Sequence, residues 1–303
     1  MAKLKDDLDL RKLEVFYWVA ELKSFSQAAE HLALRQPTVS AHVQELERTL
    51  GERLFYRIPG KVSLTPLGNL LLEKARALVT FKRDAIAALE QFHGKLSGEL
   101  WIGGSNIPGE YLLPQKLGAF VKLNPEVKPI LRIGDSTGIA EEVVDGKVEL
   151  GFVGFKVKDE RLRFRRLWRD DMVLVVPKGH RWSRRSSVSM DDLRLEPFIS
   201  RERGSGTLAS FRRVLSRNGR STETPLNVAM ELGSTEAVKE ALIAGFGVSI
   251  LSRTSVRREI AGGILVALPL RGYRLQRWFY EALHVRRPLS PIAEAFRKFL
   301  RKA

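Results

Sequence analysis

Apolar residues spaced three and four apart mark the start of the chain. Leu10, Leu13, Phe16, Tyr17 and Ala20 share one face of a first predicted helix. A second helix is predicted over Ser26 to Leu32, with Ser26 as its cap. A third runs over Gln36 to Leu50 and is ended by Gly51. Leu54 to Arg57, a Pro59-Gly60 turn and Val62 to Leu64 then read as a two-stranded hairpin. Thr65-Pro66 supplies a hydroxyl cap followed by proline at a first helical position. From there Leu67, Leu70, Leu71, Ala75, Leu78, Lys82, Ala85, Leu89 and Phe92 form one stripe. A helix over residues 66–93 would be about 42 Å long. So narrow a seam suits pairing with a partner helix, and packing on its own domain is the alternative.

From Gly98 the pattern changes to strands alternating with amphipathic helices, which predicts α/β layers with mostly parallel sheets. The strands are predicted at Leu100 to Gly103, Ile130 to Ile133, Leu150 to Val153, Met172 to Val176, Pro197 to Ser200, Leu226 to Met230 and Val248 to Leu251. Helices fall at Tyr111 to Leu123 and Thr235 to Ala244. No internal repeat or low-complexity tract interrupts them.

Composition narrows the classes. The 303 residues suffice for two or three domains, and 44% apolar with 28% charged is ordinary for a folded soluble protein. No apolar run is long enough to span a membrane, and Met1 to Asp9 has no apolar core of a secretory signal, so a cytoplasmic location is expected. Without cysteine there is no disulfide, thiolate metal site or cysteine nucleophile. The net charge of +16 lies mostly in residues 98–303, with 36 basic against 23 acidic, whereas residues 1–65 hold ten against nine. The charge therefore says little about the first segment. It fits an anionic ligand, extra nucleic-acid contact or simply solvated faces.

The most informative stretch is SFSQAAEHLALRQPTVSAHVQELERTL, residues 24–50. Ala28 and Ala29 let two helices approach closely, while Leu32, Val39, Val43 and Leu46 supply a shared core. Pro37 sits where its missing N–H costs little. Gln36, Thr38, Ser40 and His42 are then predicted to face outward near the N-terminal end of the third helix. In helix-turn-helix units that end enters the major groove, and these side chains suit base edges and phosphates.

The order of helices, hairpin and long helix resembles a LysR-type transcriptional regulator over essentially the whole chain. The residues carrying the resemblance are Leu13 with Phe16, Ser24-Phe25-Ser26, Ala28-Ala29, Leu32, Gln36-Pro37, Val39-Ser40 and Leu46-Glu47. Leu54-Phe55, Arg57, Leu64-Thr65-Pro66 and Gly68 continue it. The resemblance implies an α+β, two-part chain. A winged helix-turn-helix (residues 1–65) and a linker or dimerisation helix (66–94) would precede an α/β periplasmic-binding-protein-like effector domain (95–303). The latter's two subdomains would take about 98–160 with 269–303, and 161–268, with crossings near Gly154 to Phe164 and Leu265 to Leu270. It implies DNA contact by Gln36, Pro37 and Ser40, by Arg57 and Lys61 of the wing, and by Gln27 near the backbone. Thr38 and His42 join them from the residue reading. Many relatives carry a basic residue after the serine; here it is Ala41. The implied partners are double-stranded promoter DNA with an inverted repeat, a small-molecule effector, and a second copy paired through Leu67–Phe92. Homotetramers and RNA polymerase follow as further partners; no cofactor and no membrane partner are expected.

In residues 98–303 four strand ends carry Ser or Thr at a predicted helix start: Gly104-Ser105-Asn106, Asp135-Ser136-Thr137, Gly204-Ser205-Gly206-Thr207 and Gly233-Ser234-Thr235. Converging helix starts make a cleft for a small anion, although each alone is a helix cap. The candidates are Ser105, Asn106, Ser136, Thr137, Ser200, Arg201, Ser205 and Thr207, with Arg203 nearby. The run LWIGGSNIPGEYLLP resembles the branch of the family that senses sulphur or cysteine metabolites. Two other functions compete. An enzyme is disfavoured because His31, His42, His93, His180 and His284 are scattered. No nucleophile elbow or phosphate loop occurs, and Glu141-Glu142 and Asp170-Asp171 read as solvated surface. A transporter's solute-binding protein would need an export signal in place of the first segment.

Overall fold

The computed structural model describes residues 8–56, 62–92, 96–217 and 226–302. The chain divides into two units, residues 1–93 and 94–303.

In the first unit α1 (Leu10–Leu22), α2 (Phe25–His31), α3 (Gln36–Leu50) and α4 (Pro66–Phe92) surround one apolar core. Ala28 and Ala29 are buried, which lets α2 pack closely on its neighbours. The α1 face is offset from the predicted one. Val15 and Val19 are buried and Leu10 is exposed, because α1 packs against α4 as well as α2 and α3. Ser24, not Ser26, caps α2: its backbone is extended, as a cap requires, and its Oγ accepts from the Gln27 N–H at 3.2 Å. The turn into α3 places Ala33 at φ +52, a left-handed conformation usually left to glycine. α3 spans its predicted residues and ends at Gly51, φ +75.

The hairpin base is an antiparallel bridge between Phe55 and Leu64, with Tyr56 N–H donating to Ser63 O at 2.8 Å. Its tip, including Arg57, the Pro59-Gly60 turn and Lys61, lies outside the described residues. One Glu47 carboxylate oxygen accepts from Leu54 N–H (2.7 Å) and Phe55 N–H (3.3 Å), tying α3 to the hairpin. Thr65 Oγ1 donates to Arg53 O (2.8 Å) and accepts from Gly68 N–H (3.0 Å), capping α4 on the same strand. A Cβ at residue 68 would lie 2.2 Å from Leu54 O, so only glycine fits. The apolar stripe of α4 splits into two faces. Ala75 is buried, with Leu67, Leu71 and Leu72 packed on the unit's own core. Leu70, Leu78, Phe81 and Leu89 stay exposed, Phe81 by 73%. Lys82 is also exposed and pairs with Glu14 of α1 at 2.8 Å.

The second unit runs β1 (Gly98–Ser105), a π-type turn (Pro108–Leu112), α5 (Leu113–Leu123), β2 (Val127–Gly134), α6 (Ser136–Asp145), β3 (Leu150–Val153) and β4 (Leu162–Pro177). Then come α7 (Met190–Leu195), β5 (Phe198–Arg201), α8 (Gly206–Arg217), β6 (Val228–Leu232), α9 (Thr235–Ile243) and β7 (Ser249–Ser252). α10 (Arg257–Ala261), β8 (Leu265–Leu268), β9 (Gln276–His284) and α11 (Pro291–Lys302) complete it. The strand order is β2-β1-β3-β9-β4-β7, with β8 also on β4; β5 and β6 form a separate pair.

The sheets are mixed rather than mostly parallel. β1 pairs in parallel with β2 and β3, whereas β9 and β4 run antiparallel to every strand they pair with. β4 joins two lobes: up to Asp171 it pairs with β9, and from Met172 with β7 and β8. The chain returns just before β9, where Met172 N–H donates to Leu275 O at 2.7 Å. Both passages thus lie downstream of the expected Gly154 to Phe164 and Leu265 to Leu270, because β9 extends the first sheet far along β4. Apolar cores back each lobe, around Phe120, Phe152 and Phe296 in one and Trp182, Phe198 and Phe211 in the other. Among the described residues no helix is long and apolar enough to cross a membrane.

Candidate functional sites

Buried Val39, Val43 and Leu46 fix the rotation of α3 about its axis and so decide which residues face solvent. Pro37, Ala41, Gln44 and Arg48 form the middle of the exposed strip. Gln36 and Ser40, four apart, occupy one flank; Thr38 and His42, also four apart, occupy the other. The single outward edge expected from sequence is therefore a strip with two flanks. Gln36, Thr38 and Gln27 are exposed and Ser40 is half-buried. His42 is half-buried too, and its Nδ1 is enclosed without a hydrogen-bond partner. Arg35 stands at the N-cap with no side-chain capping bond, so the first turn keeps backbone N–H groups facing outward. Such an end attracts phosphate. Periodicity already pointed to Gln44 and Arg48 as outward positions, but neither was among the candidates.

In the second unit two of the four strand ends, those at Ser105-Asn106 and Ser205 to Thr207, meet at one crevice. Ser105, Asn106, Arg201, Ser205 and Thr207 line this narrow crevice of about 10 Å³, open to solvent, together with Gly154, Arg277 and Phe279. Ser136 does not line it, but its Oγ accepts at 3.0 Å from the N–H of Gly154, which does. Thr137 and Ser200 do not line it. The Thr137 N–H is held by Asp135, the true cap of α6, and the buried Ser200 hydroxyl donates to Arg201 O. Glycines bring the lobes together: a Cβ on Gly206 would lie 2.8 Å from Gly154 Cα, and one on Gly204 2.5 Å from the Asp135 carboxylate.

Arg201 is 3% exposed and its charge is matched within the protein. It donates twice to Glu202 (2.7 and 2.8 Å), to Thr235 Oγ1 (2.7 Å) and across the crevice to Asn106 Oδ1 (3.2 Å). It bridges the lobes with its charge already paired, and Arg203 is exposed. A second bridge joins Tyr111 of the first lobe to Glu236 of α9. Burial, then the bonded and charged Glu236, pushes the Tyr111 hydroxyl far above its ordinary range.

Sequence reading missed the buried cation of the crevice. Arg277 donates Nε to Asp170 (2.7 Å) and Nη1 to Thr207 Oγ1 (3.0 Å), while Nη2 is buried with no partner. Burial pulls its guanidinium below the ordinary range, against the raising effect of Asp170. Asp170 is correspondingly not solvated surface: its side chain is 1% exposed, and only Asp171 of that pair faces out. Strand alternation made one inward carboxylate foreseeable, but its partner lies 107 residues away. The crevice thus holds two internally paired arginines, helix starts and one unused donor. That set suits a small ligand with one anionic group.

Comparison with known proteins covers both units. Residues 10–69 match the family model "Bacterial regulatory helix-turn-helix protein, lysR family", and residues 93–303 match "LysR substrate binding domain". The HTH-type transcriptional regulator CysL of Bacillus subtilis is 32% identical over 265 residues, 88% of this chain and 87% of its own. The crystal structure of full-length CbnR complexed with its target DNA shares the fold, with a TM-score of 0.68 at 22% identity. It covers 97% of this chain and 99% of that one. The Synechocystis CcmR regulatory domain in complex with 2-PG has a TM-score of 0.61 at 26% identity, covering 67% of this chain and 96% of that one.

Proposed function

The chain belongs to the LysR family of bacterial regulatory helix-turn-helix proteins, and from that premise we propose that it binds promoter DNA through α3 and is controlled by a small anionic metabolite. Residues 1–65 form the DNA-binding part in this reading, 66–94 the linker helix, and 95–303 the effector-binding part. The observation that carries it is the rigid joint of α3, hairpin and α4 made by Glu47, Thr65 and Gly68, which fixes a polar strip beside a wing. Gln36, Pro37 and Ser40 read base edges. Thr38 and His42 contact base edges and phosphates beside them, Gln27 lies near the DNA backbone, and Arg57 and Lys61 meet DNA from the wing.

The exposed Leu70, Leu78, Phe81 and Leu89 of α4 pair with a second copy. This places two α3 strips on an inverted repeat. Pairs assemble further into homotetramers that act on RNA polymerase in the cytoplasm. No chemistry is catalysed. The effector binds between the lobes at Ser105, Asn106, Ser136, Ser205, Thr207 and the free Nη2 of Arg277, with Thr137 and Ser200 behind them. It acts by favouring one lobe arrangement over another.

The test is fluorescence anisotropy on the DNA beside the chain's own gene, against scrambled duplex at moderate salt, with and without sulphate, acetylserine-type compounds and other small anions. The reading expects a preference for the native duplex that one of these compounds shifts. An absence of preference contradicts it.

A further inference from the structure

A second groove lies on the other side of the Gly154–Gly206 contact. It is open, about 220 Å³, and bounded by β4 and β9 of the first lobe and α8 of the second. β4 carries the run RFRRLWR (residues 163–169), and its register against β9 shifts between Arg166 and Trp168. The shift brings Arg166 and Arg169 onto one face, both over the Trp278 ring, at 5.6 and 5.1 Å from its centroid. α8 adds Arg213 opposite, beside the buried Ser210. Lys156, over the Tyr280 ring at 5.4 Å, stands close by.

The charges in this groove do not cancel. Four arginines line it and no carboxylate does. Arg277 alone has an acidic partner, Asp170; among the described residues Arg166, Arg169 and Arg213 make no ion pair. Like charges gathered in one concavity repel and raise the local positive potential. Exposed arginines alone could be a solvated face. What sets this groove apart is Arg277: 7% exposed, with an Nη2 that has no hydrogen-bond partner, it lines this groove as well as the crevice. A buried, unused guanidinium donor at the floor of a ring of unpaired cations is the complement of an anion.

We propose that this groove is a second ligand site, for a small metabolite bearing several negative charges, of the di- or triphosphate class. Its charged groups would bridge Arg166 and Arg169 on the first lobe to Arg213 on the second. The two sites would share one unmatched donor, Arg277 Nη2, and so compete for it with different ligands: a single anionic group between the lobes, and a multiply charged one in the groove. Bound there, the polyanion would hold α8 against β4 and β9 and so bias the arrangement of the two lobes that the crevice also senses.

The test uses the full chain without DNA, titrated calorimetrically with sodium triphosphate at a fixed ionic strength of about 150 mM, which screens diffuse attraction. One triphosphate per chain is expected. Arg166→Gln with Arg213→Gln, and separately Arg213→Glu, should each weaken it at least about tenfold, since charge-assisted contacts are lost. Both positions are exposed, so the fold should persist, and circular dichroism checks it. Arg203→Gln, an exposed arginine that does not line the groove, should leave the affinity within about twofold. The proposal is overturned by non-saturable binding, by unchanged affinity in both groove variants, or by an equal loss in Arg203→Gln. It is also overturned if the groove variants weaken duplex binding while triphosphate never binds, since the arginines would then serve nucleic acid. None of these results bears on the α3 strip.

Discussion

The buried Asp170–Arg277 pair sits where β4 passes from one sheet to the other, and removing one of its charges should be costly. Asp170 accepts from Arg277 Nε at 2.7 Å and from Ser252 Oγ at 2.6 Å; the paired side chains are 1% and 4% exposed. Asp170→Asn keeps the shape and removes the counter-charge, leaving a guanidinium that burial already disfavours. Breaking such a pair from one side costs about 3–5 kcal/mol, with little relief from solvent at this depth. In a unit of about 210 residues each kcal/mol moves Tm by about 2–4 °C, so a fall of about 6–20 °C is expected. Arg277→Met should cost a similar amount, because Asp170 and Thr207 lose their donor. The double variant, with neither charge, should be more stable than the sum of the single losses predicts, by about 2 kcal/mol. Calorimetric and urea unfolding of the four proteins measures this cycle. A loss below about 1 kcal/mol for Asp170→Asn, with additive singles, would refute the claim that the charges depend on each other.

Three further outcomes follow from local geometry. Glu47→Ala removes the acceptor of two backbone N–H groups and should cost about 2–3 kcal/mol in the first unit, seen as a lowered unfolding midpoint and weakened duplex binding; Glu47→Gln should recover part of the loss. Gly206→Ala brings a Cβ within 2.8 Å of Gly154 Cα, so the lobes must separate slightly. The Gly154 amide, bonded to Ser136, should then exchange faster, and unchanged exchange there would count against the close approach. At Glu196, burial raises the carboxyl, but bonds from His180 and Arg181 outweigh it and hold the pKa below its ordinary 4.5. Its stabilising effect is therefore complete above pH 4.5 and lost as pH falls through the lowered folded value. Acid unfolding curves of Glu196→Gln should lack that component.

What the sequence revealed and what it hid differ in range. α3 was legible to the residue because Pro37 and Gly51 are local punctuation, and Ala28, Ala29 and Leu46 carry their packing role in their size and spacing. The passage of β4 between lobes was not legible. Leu162 to Asp171 is a charged, poorly alternating run that becomes strand only because β9, over a hundred residues later, pairs with it. The same distance hid Arg277 and the burial of Asp170. Arg201 was recognised as a crevice residue, but its neighbour Glu202, which neutralises it, gave no sign in sequence of turning inward. The stripe of α4 was real, yet spacing alone could not separate the part that meets α1 from the part left exposed.

The duplex-reading role of α3 is tested most directly by the ratio of specific to random-duplex affinity for Gln36→Ala with Ser40→Ala. Both side chains sit on the same flank of the strip and neither is in the core. The ratio should fall by about 10- to 100-fold, as expected for lost base contacts of about 1–3 kcal/mol, while random-duplex affinity and Tm hold. A ratio equal to that of the unaltered protein, or an equal loss on both duplexes, would show that this flank does not read sequence.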